Sequence, residues 1–280
     1  MNLYIRMDPT VSTISSDQDF LKFTLSNTKT CFANALRRII IAEIPCVVFR
    51  TSPDEVNKVD IEINTSRLNN ELIKQRLSCI PIHISDIGFP INDYEVILDV
   101  KNESQSIIYA TTEHFQIRNM KTESDLPREE VKKIFPADLI TNDYIQIVRL
   151  RPKISDEIHG EHIKLSCKFD IGSAKENGSF NVVSTCSYAA TKDEAAAKIA
   201  WDKMASDFKS KGVDPSEIEF KYLDWEQIDA KRITIPNSYD FIIESIGIFT
   251  NEEIVVKACH VMFSKLDNMK LLIESNDLKI

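Results

Sequence analysis

An apolar segment that a proline terminates constrains this chain most: Cys31–Phe49, with the sequence CFANALRRIIIAEIPCVVF. If the segment is helical, its larger apolar side chains fall roughly on one stripe: Phe32, Leu36, Ile39, Ile40 and Ile44. Pro45 ends the predicted helix, because the residue before a proline is disfavoured in the α region. Cys46–Phe49 then has the composition of a short buried strand.

Two interpretations fit the polar residues of this helix. Arg37 and Arg38 are adjacent in its middle, and Ile41 points away from the apolar stripe. The helix is either a core helix with two solvated arginines, or it contacts a second surface in addition to its own sheet. Local sequence alone leaves both open, because tertiary context decides such cases.

The charge balance argues against direct nucleic-acid binding. The 280 residues carry a formal net charge of −9, and no run of lysines or arginines supplies a basic patch. Such a surface repels phosphate backbones. We therefore expect no strong direct binding to DNA or RNA.

The cysteines and the apolar runs bear on the compartment. Six cysteines lie far apart without a CxxC pair, so the spacing predicts neither a zinc site nor a secreted disulfide framework. We expect no signal peptide and no membrane span, since the longest apolar run, Ile39–Ile44, is far too short to cross a bilayer. The expected location is intracellular, in the nucleus or cytoplasm.

Periodicity predicts a mixed chain. The predicted strands are Leu3–Ile5, Phe20–Leu25, Cys46–Phe49, Val59–Ile63, Tyr94–Val100, Ser106–Thr111, Phe115–Ile117, Asp143–Leu150, Ile163–Phe169 and a stretch around Ile233–Ile243. The predicted helices after the first are Asn69–Ile80, Thr191–Lys211, a piece from Pro215 to Trp225, and a final helix that Asn251 caps and that runs to about Glu274. The strands between 82 and 117 are expected to form a meander. The final helix has a broad apolar stripe, which suggests a second unpartnered surface.

Signals for catalysis are weak. His159 and His162 are close enough to share a metal on a helix, but no third good ligand is near, so a solvated loop is favoured. The chain has no GxSxG, no HExxH and no glycine-rich phosphate loop followed by GK[ST]. We expect no enzymatic activity of the chain itself.

Four stretches resemble a known family, in the family's order. They are Asn34-Ala-Leu-Arg-Arg38 with its flanks Leu25-Ser-Asn27 and Ala42-Glu-Ile-Pro45, Asn70–Pro81, Gly172–Val183, and Phe241–Gly247 followed by Glu252–Val256. Together they resemble the RNA polymerase assembly subunits: the N-terminal domain of the bacterial α chain, the archaeal D chain and the third-largest eukaryotic polymerase II subunit. The match is best to the archaeal and eukaryotic members.

The resemblance implies an α+β fold with a discontinuous dimerisation domain, which has an antiparallel sheet and two long helices, and an inserted mostly β domain. We place the dimerisation domain at 1–49 and 187–280 and the insert at 50–186. The family pairs through both helices with a small subunit-L-like partner, and the heterodimer then forms a platform for the two largest subunits. The implied interface residues are Phe32, Asn34, Leu36, Arg37, Arg38, Ile40, Ile41, Ile44, Val261, Met262, Leu266 and Met269. Arg38, with Arg37 as its neighbour, is the candidate contact to a large subunit, because a guanidinium suits a buried ion pair better than lysine does.

The chain departs from the family pattern in places. The expected insert has too few cysteines for the zinc loop or the iron–sulfur ligands of some members, so we expect no cofactor. Phe180-Asn-Val-Val183 lacks the family's proline, and Ala190–Arg232 has no close counterpart. Such divergence suits a virus-encoded or otherwise fast-evolving polymerase, located in a viral factory or virion in the viral case. The alternatives are a dimerising α+β scaffold unrelated to transcription and an enzyme with its site in the insert.

Overall fold

The computed structural model describes residues 8–17, 19–86, 88–155, 157 and 159–275. The predicted strand at Leu3–Ile5 lies outside them. The strands are β1 (Thr10–Asp17), β2 (Phe20–Ser26), β3 (Cys46–Phe49), β4 (Val59–Asn64), β5 (Tyr94–Lys101), β6 (Ile108–Thr111), β7 (Gln116–Asn119), β8 (Ser124–Asp125), β9 (Gln146–Leu150), β10 (His162–Gly172), β11 (Val183–Lys192) and β12 (Thr234–Ser245). The helices are α1 (Thr30–Ala42), α2 (Asn70–Ser78), α3 (Arg128–Ile134), α4 (Glu194–Ser210), α5 (Pro215–Gln227) and α6 (Asn251–Ser275). The predicted α+β class is confirmed.

Contacts divide the described chain into two compact units. Unit 1 combines the described part of Met1–Arg38 with Thr185–Glu244, and unit 2 combines Ile39–Ser184 with the described part of Ser245–Ile280. The first unit boundary falls inside α1, and α6 belongs to unit 2. The predicted division into a dimerisation domain and an insert groups α6 with the N-terminal segment. That division concerns which parts pair with a partner, and it stays a prediction.

Unit 1 is built on an antiparallel sheet with the strand order β1-β2-β12-β11. Leu21, Phe23 and Leu25 are buried and alternate with more exposed residues, as the sequence predicts for β2. Phe23 is the cross-strand partner of Phe241, and their rings stack with centroids 5.0 Å apart. Aromatic cross-strand pairs of this kind stabilise a sheet register.

Helices α4 and α5 form the part of unit 1 for which the sequence predicts no close counterpart in the resembled family. Neither helix contains a buried residue. They meet through an aromatic cluster, in which the Trp201 ring lies 5.0 Å from Tyr222 and 5.3 Å from Trp225 between centroids. Ile199 of α4 is 70% exposed.

Unit 2 is organised around β10, the long strand to which three others pair. Its first part pairs antiparallel with β5 on one edge and β4 on the other, and its last residues pair with β3. β7 and β8 extend the sheet beyond β5. The predicted meander is wrong, because β6 leaves this sheet and pairs with β9 in a two-stranded ribbon.

The core of unit 2 is a cluster of aromatic rings and branched aliphatic side chains. Phe49 is fully buried, and its ring stacks on Phe169 at 5.6 Å and on Phe135 at 6.0 Å between centroids. Phe115 packs edge-on against Phe135 at 4.9 Å. Because Phe49 ends β3, this packing fixes the strand that follows α1.

Two other elements differ from expectation for physical reasons. β1 is exposed along its whole length and rich in serine and threonine, so it has no apolar alternation to reveal it. β11 continues through Lys192, where the sequence predicts helix from Thr191. The helix begins only after Asp193, whose carboxylate accepts a hydrogen bond from the Ala196 backbone N–H at 2.9 Å.

Replacing Phe49 tests this core. We expect Phe49→Ala to lower the free energy of unfolding by about 3–5 kcal/mol, because it removes a fully buried ring from an aromatic cluster. Urea unfolding followed by circular dichroism measures the change. Ile14→Ala is the control, since Ile14 is 67% exposed and its loss is expected to cost less than about 0.5 kcal/mol. Equal effects of the two substitutions contradict the described core.

Candidate partner interface

Helix α1 is held at both ends. The Thr30 and Tyr239 hydroxyls are hydrogen-bonded at 2.5 Å, which attaches the first residue of α1 to β12 within unit 1. At the other end, the Lys175 backbone N–H donates to the Ala42 carbonyl at 2.7 Å. The helix ends at Ala42, just before Pro45, which the sequence predicts to end it. These contacts fix the rotation of α1, and therefore which residues face outward.

Part of the predicted interface lies on the inward, buried face of α1. Leu36, Ile40 and Ile44 are 3%, 0% and 2% exposed, and all are covered by this chain itself. Side chains so fully buried have no surface left for a partner. Ile39, on the same stripe, is also buried. The structure therefore places these predicted interface residues in the chain's own core.

The remaining predicted residues of α1 are half-buried or exposed. Phe32 lies on the apolar stripe one turn before Leu36 but is 37% exposed. Ile41 lies on the opposite, outward side and is also 37% exposed, which agrees with the prediction that it points away from the core stripe. Arg37 is half-buried, and its Nη2 and Nε donate to the Asn34 Oδ1 at 3.0 and 3.3 Å. Arg38 is exposed and makes no hydrogen bond or ion pair within the described part of the chain. The two adjacent arginines thus differ: one is anchored, and the other is available to a partner.

Helix α6 begins with a capping box. The Thr250 hydroxyl accepts a hydrogen bond from the Glu253 backbone N–H at 3.2 Å, and the Glu253 carboxylate accepts one from the Thr250 N–H at 3.0 Å. The cap is therefore Thr250 and not Asn251, which is the first helical residue. Lys257 donates to the Ser85 carbonyl at 3.2 Å and lies 4.5 Å above the Phe249 ring. These contacts anchor the first turns of α6 within unit 2.

The apolar face of α6 changes from buried to exposed along the helix. Ile254 and Ala258 are fully buried, and Val261 and Met262 are half-buried. Leu266 and Met269 continue that face at helical spacing but are 61% and 60% exposed, and Leu272 and Ile273 extend it. We call the set Val261, Met262, Leu266, Met269, Leu272 and Ile273 the α6 surface. This surface has the pattern of a core face without a cover.

Sequence reasoning missed several features near this surface. Phe263 and Leu271 are 70% and 54% exposed, and both lie off the predicted stripe. The same side of the helix carries Asp267, Lys270 and Glu274, so periodicity gave no signal for these two residues. An ion pair between Glu43 and Lys265 was also missed, because sequence spacing cannot reveal a contact between distant segments. It attaches the residue after α1 to the middle of α6 within unit 2.

The histidine loop has ordinary structural partners. The His162 Nε2 lies 2.7 Å from an Asp99 carboxylate oxygen. Glu161 is buried and accepts hydrogen bonds from the Arg151 backbone N–H at 2.8 Å and from its Nε at 2.5 Å. Within the described residues, no group of three or more histidine, cysteine, aspartate or glutamate side chains is arranged to hold a metal ion.

The cysteines divide into buried and exposed thiols. Burial raises the pKa of the Cys46 thiol and of the Cys186 thiol to about 12, and it raises the pKa of Cys167 as well. These three thiols stay protonated at neutral pH and serve as small apolar side chains. Cys31, Cys79 and Cys259 are free and exposed. None of the helices among the described residues has the length and hydropathy that a bilayer crossing demands.

Comparison with known proteins identifies the family. The model of the RNA polymerase Rpb3/Rpb11 dimerisation domain matches residues 22–266, and the chain belongs to this family. The DNA-directed RNA polymerase subunit Rpo3 of Pyrococcus horikoshii is 26% identical over 277 residues, which cover 92% of this chain and 95% of that protein. The human DNA-directed RNA polymerases I and III subunit RPAC1 is 26% identical over 300 residues, covering 91% and 82%. The DNA-directed RNA polymerases IV and V subunit 3B of Arabidopsis thaliana is 43% identical over only 74 residues, covering 26% and 21%.

The resemblance predicted from the four sequence stretches is thereby confirmed. The chain is an assembly subunit of the multisubunit RNA polymerase class, and the alternative of a scaffold unrelated to transcription is wrong. The assignment of particular side chains to an interface stays a prediction.

Adjacent residues of α1 separate the core role from the surface role. We expect Ile40→Asp to unfold the chain, because an unpaired buried carboxylate costs several kcal/mol. Ile41→Asp, at the 37% exposed neighbour, is expected to leave the isolated chain folded. Thermal unfolding of both variants checks this. A wild-type melting curve for Ile40→Asp refutes the burial described for α1.

Proposed function

We propose that this chain heterodimerises with a smaller subunit-L-like polymerase subunit and that the heterodimer is the platform on which the two largest subunits assemble. In this proposal the chain itself carries no catalytic group. Its relatives are named as DNA-directed RNA polymerase subunits, and the matching family model is a dimerisation domain. A dimerisation domain requires a surface that is incomplete in the single chain, and the α6 surface has that property.

The observation that carries the proposal is the change in exposure along α6. Fully burying a large apolar side chain stabilises a protein by about 1.5–3 kcal/mol. With several such side chains exposed on one helix, the single chain lacks that stabilisation. A partner with its own apolar helix recovers that free energy through helix packing. Standard interfaces bury about 1,200–2,000 Å² in total, to which six apolar side chains in three helical turns contribute a central patch.

Arg38 supports the second contact in the proposal. It is exposed, and among the described residues it has no hydrogen-bond or ion-pair partner, whereas Arg37 is anchored to Asn34. A guanidinium that is free in the single chain can form a bidentate pair with a carboxylate of another subunit. We assign this role to Arg38, toward one of the two large subunits.

A pull-down of tagged protein from its native source, followed by mass spectrometry, tests the function. We expect the wild-type chain to recover one small subunit and two very large polymerase chains. Leu266→Asp combined with Met269→Asp is expected to lose all three, because two carboxylates in an apolar interface are left unpaired. Both positions are exposed, so the isolated variant should keep its melting temperature.

The matched control is Ile199→Asp on α4, at a position that is 70% exposed and outside both interface helices. It is expected to recover the same chains as the wild type. A wild-type pull-down without large polymerase chains contradicts the polymerase role. Recovery of the small subunit by the α6 double variant contradicts the use of the α6 surface.

The paired arginines give a second test. We expect Arg38→Ala to retain the small partner but to recover less of the large chains, by roughly tenfold. Arg37→Ala serves as the comparison, since its guanidinium is engaged with Asn34 and its loss should affect large-subunit recovery less. Size-exclusion chromatography of the heterodimer and quantitative mass spectrometry provide the two readouts. If Arg38→Ala breaks the heterodimer itself, the assignment of Arg38 is wrong.

A further inference from the structure

A concavity of about 210 Å³ in unit 2 has a cationic lining that differs from the rest of this acidic chain. Arg67, Arg76 and Arg149 line it, together with Leu68 and Tyr109 and parts of β9. No carboxylate is among the residues that line it in the described chain. The concavity lies apart in sequence from α1 and α6, and the proposed heterodimer does not use it.

The three arginines come from different elements and converge on one place. Arg67 precedes α2, Arg76 is in its last turn, and Arg149 lies on β9. Arg149 is the cross-strand partner of Tyr109 on β6, so the two side chains share a face of the ribbon. Arg76 Nη2 donates to the Gln146 carbonyl at 2.7 Å, which ties α2 to the same ribbon.

The backbone that carries the arginines is held in place, and their guanidinium groups are not neutralised. The Asn64 side chain donates to the Leu68 carbonyl at 2.8 Å and accepts from the Ser66 hydroxyl at 2.7 Å, which fixes the loop that carries Arg67. None of the three guanidinium groups forms an ion pair with a described residue, and all three arginines are exposed. Each guanidinium has five N–H donors, so most donors at this site remain available.

We infer that this concavity docks an acidic peptide segment of another protein, whose carboxylates pair with the three guanidinium groups while an apolar side chain rests against Leu68 and Tyr109. The planar guanidinium fork matches a carboxylate in bidentate geometry. The hydrogen bond that holds Arg76 reduces the ordering cost of such binding for that side chain. Tyr109 is 45% exposed, so the site offers an aromatic contact between its charges.

The charge of the whole chain favours a short acidic segment over a nucleic acid. A phosphate backbone extends its charge well beyond the concavity and meets the repulsion of a chain with a net charge of −9. A peptide that places a few carboxylates at the arginines meets less of that repulsion. This inference does not depend on the polymerase assignment.

Fluorescence anisotropy with the full chain tests the inference. The probe is a fluorescein-labelled decapeptide of alternating aspartate and leucine. The comparison ligands are the same decapeptide with asparagine in place of aspartate and an oligothymidylate of equal length. We expect Arg67→Glu combined with Arg149→Glu to weaken binding of the aspartate peptide by about tenfold or more. This variant leaves Arg76 and its hydrogen bond to Gln146 intact, so the fold is preserved.

The matched control is Lys198→Glu combined with Lys203→Glu, which changes the net charge equally at two exposed positions of α4. It is expected to bind the aspartate peptide within about twofold of the wild type. Preference for the aspartate peptide over both comparison ligands supports the inference. Equal losses in the two variants, tighter binding of the oligothymidylate, or no binding of the aspartate peptide by the wild type would overturn it.

Discussion

The proposed assembly role depends on the exposed continuation of the α6 apolar face. Ile254 and Ala258 occupy fully buried positions, and Leu266 and Met269 repeat the pattern without a cover. A monomeric soluble protein rarely keeps such a face in water, because burial of each large side chain is worth roughly 1.5–3 kcal/mol. In the proposed heterodimer this helix is one half of a packed layer, and an apolar helix of the partner is the other half. The family of the chain is described as a dimerisation domain, which supports this proposal.

The rest of the molecule holds helix α6 in place and presents other surfaces. The ion pair of Glu43 with Lys265 and the contacts of Lys257 hold α6 within unit 2. In the same unit, the pairing of β10 with β3, β4 and β5 supports a β structure around a phenylalanine core. The two-stranded β6–β9 ribbon then displays Arg149 and Tyr109 outward. A single chain thus offers apolar and cationic surfaces separately, as an assembly platform requires.

Local patterns predicted the elements whose signal is contained in a few consecutive residues. The alternation of Leu21, Phe23 and Leu25 predicted β2, and the spacing of Ile254, Ala258 and Leu266 predicted α6. The cap of α6 was predicted one residue late, because Thr250 and Asn251 are both good capping residues and only the reciprocal hydrogen bonds with Glu253 distinguish them. The polar, fully exposed β1 gave no such signal.

Sequence periodicity could not predict which apolar residues a partner needs. Ile40 and Leu266 have the same chemistry and similar helical settings, yet one is 0% and the other 61% exposed. The difference depends on which other segments cover each helix, and that is a property of tertiary structure. The pairing of β6 with β9 could not be predicted for the same reason. About 35 residues separate the two strands, and no local signal joins them. The hydrogen bonds that engage Arg37 with Asn34, while Arg38 stays exposed, also could not be predicted from the sequence.

Alkylation of native cysteines in the purified heterodimer tests directly whether the partner covers α6. Cys259 is exposed on α6, seven residues before Leu266 and therefore on nearly the same side of the helix, and Cys79 is exposed at the end of α2 as an internal reference. The labelling rates are compared by mass spectrometry between the isolated chain and the heterodimer. If the small partner covers α6, it slows labelling of Cys259 relative to Cys79. An unchanged ratio of the two rates would contradict it, because α6 would then remain uncovered in the heterodimer.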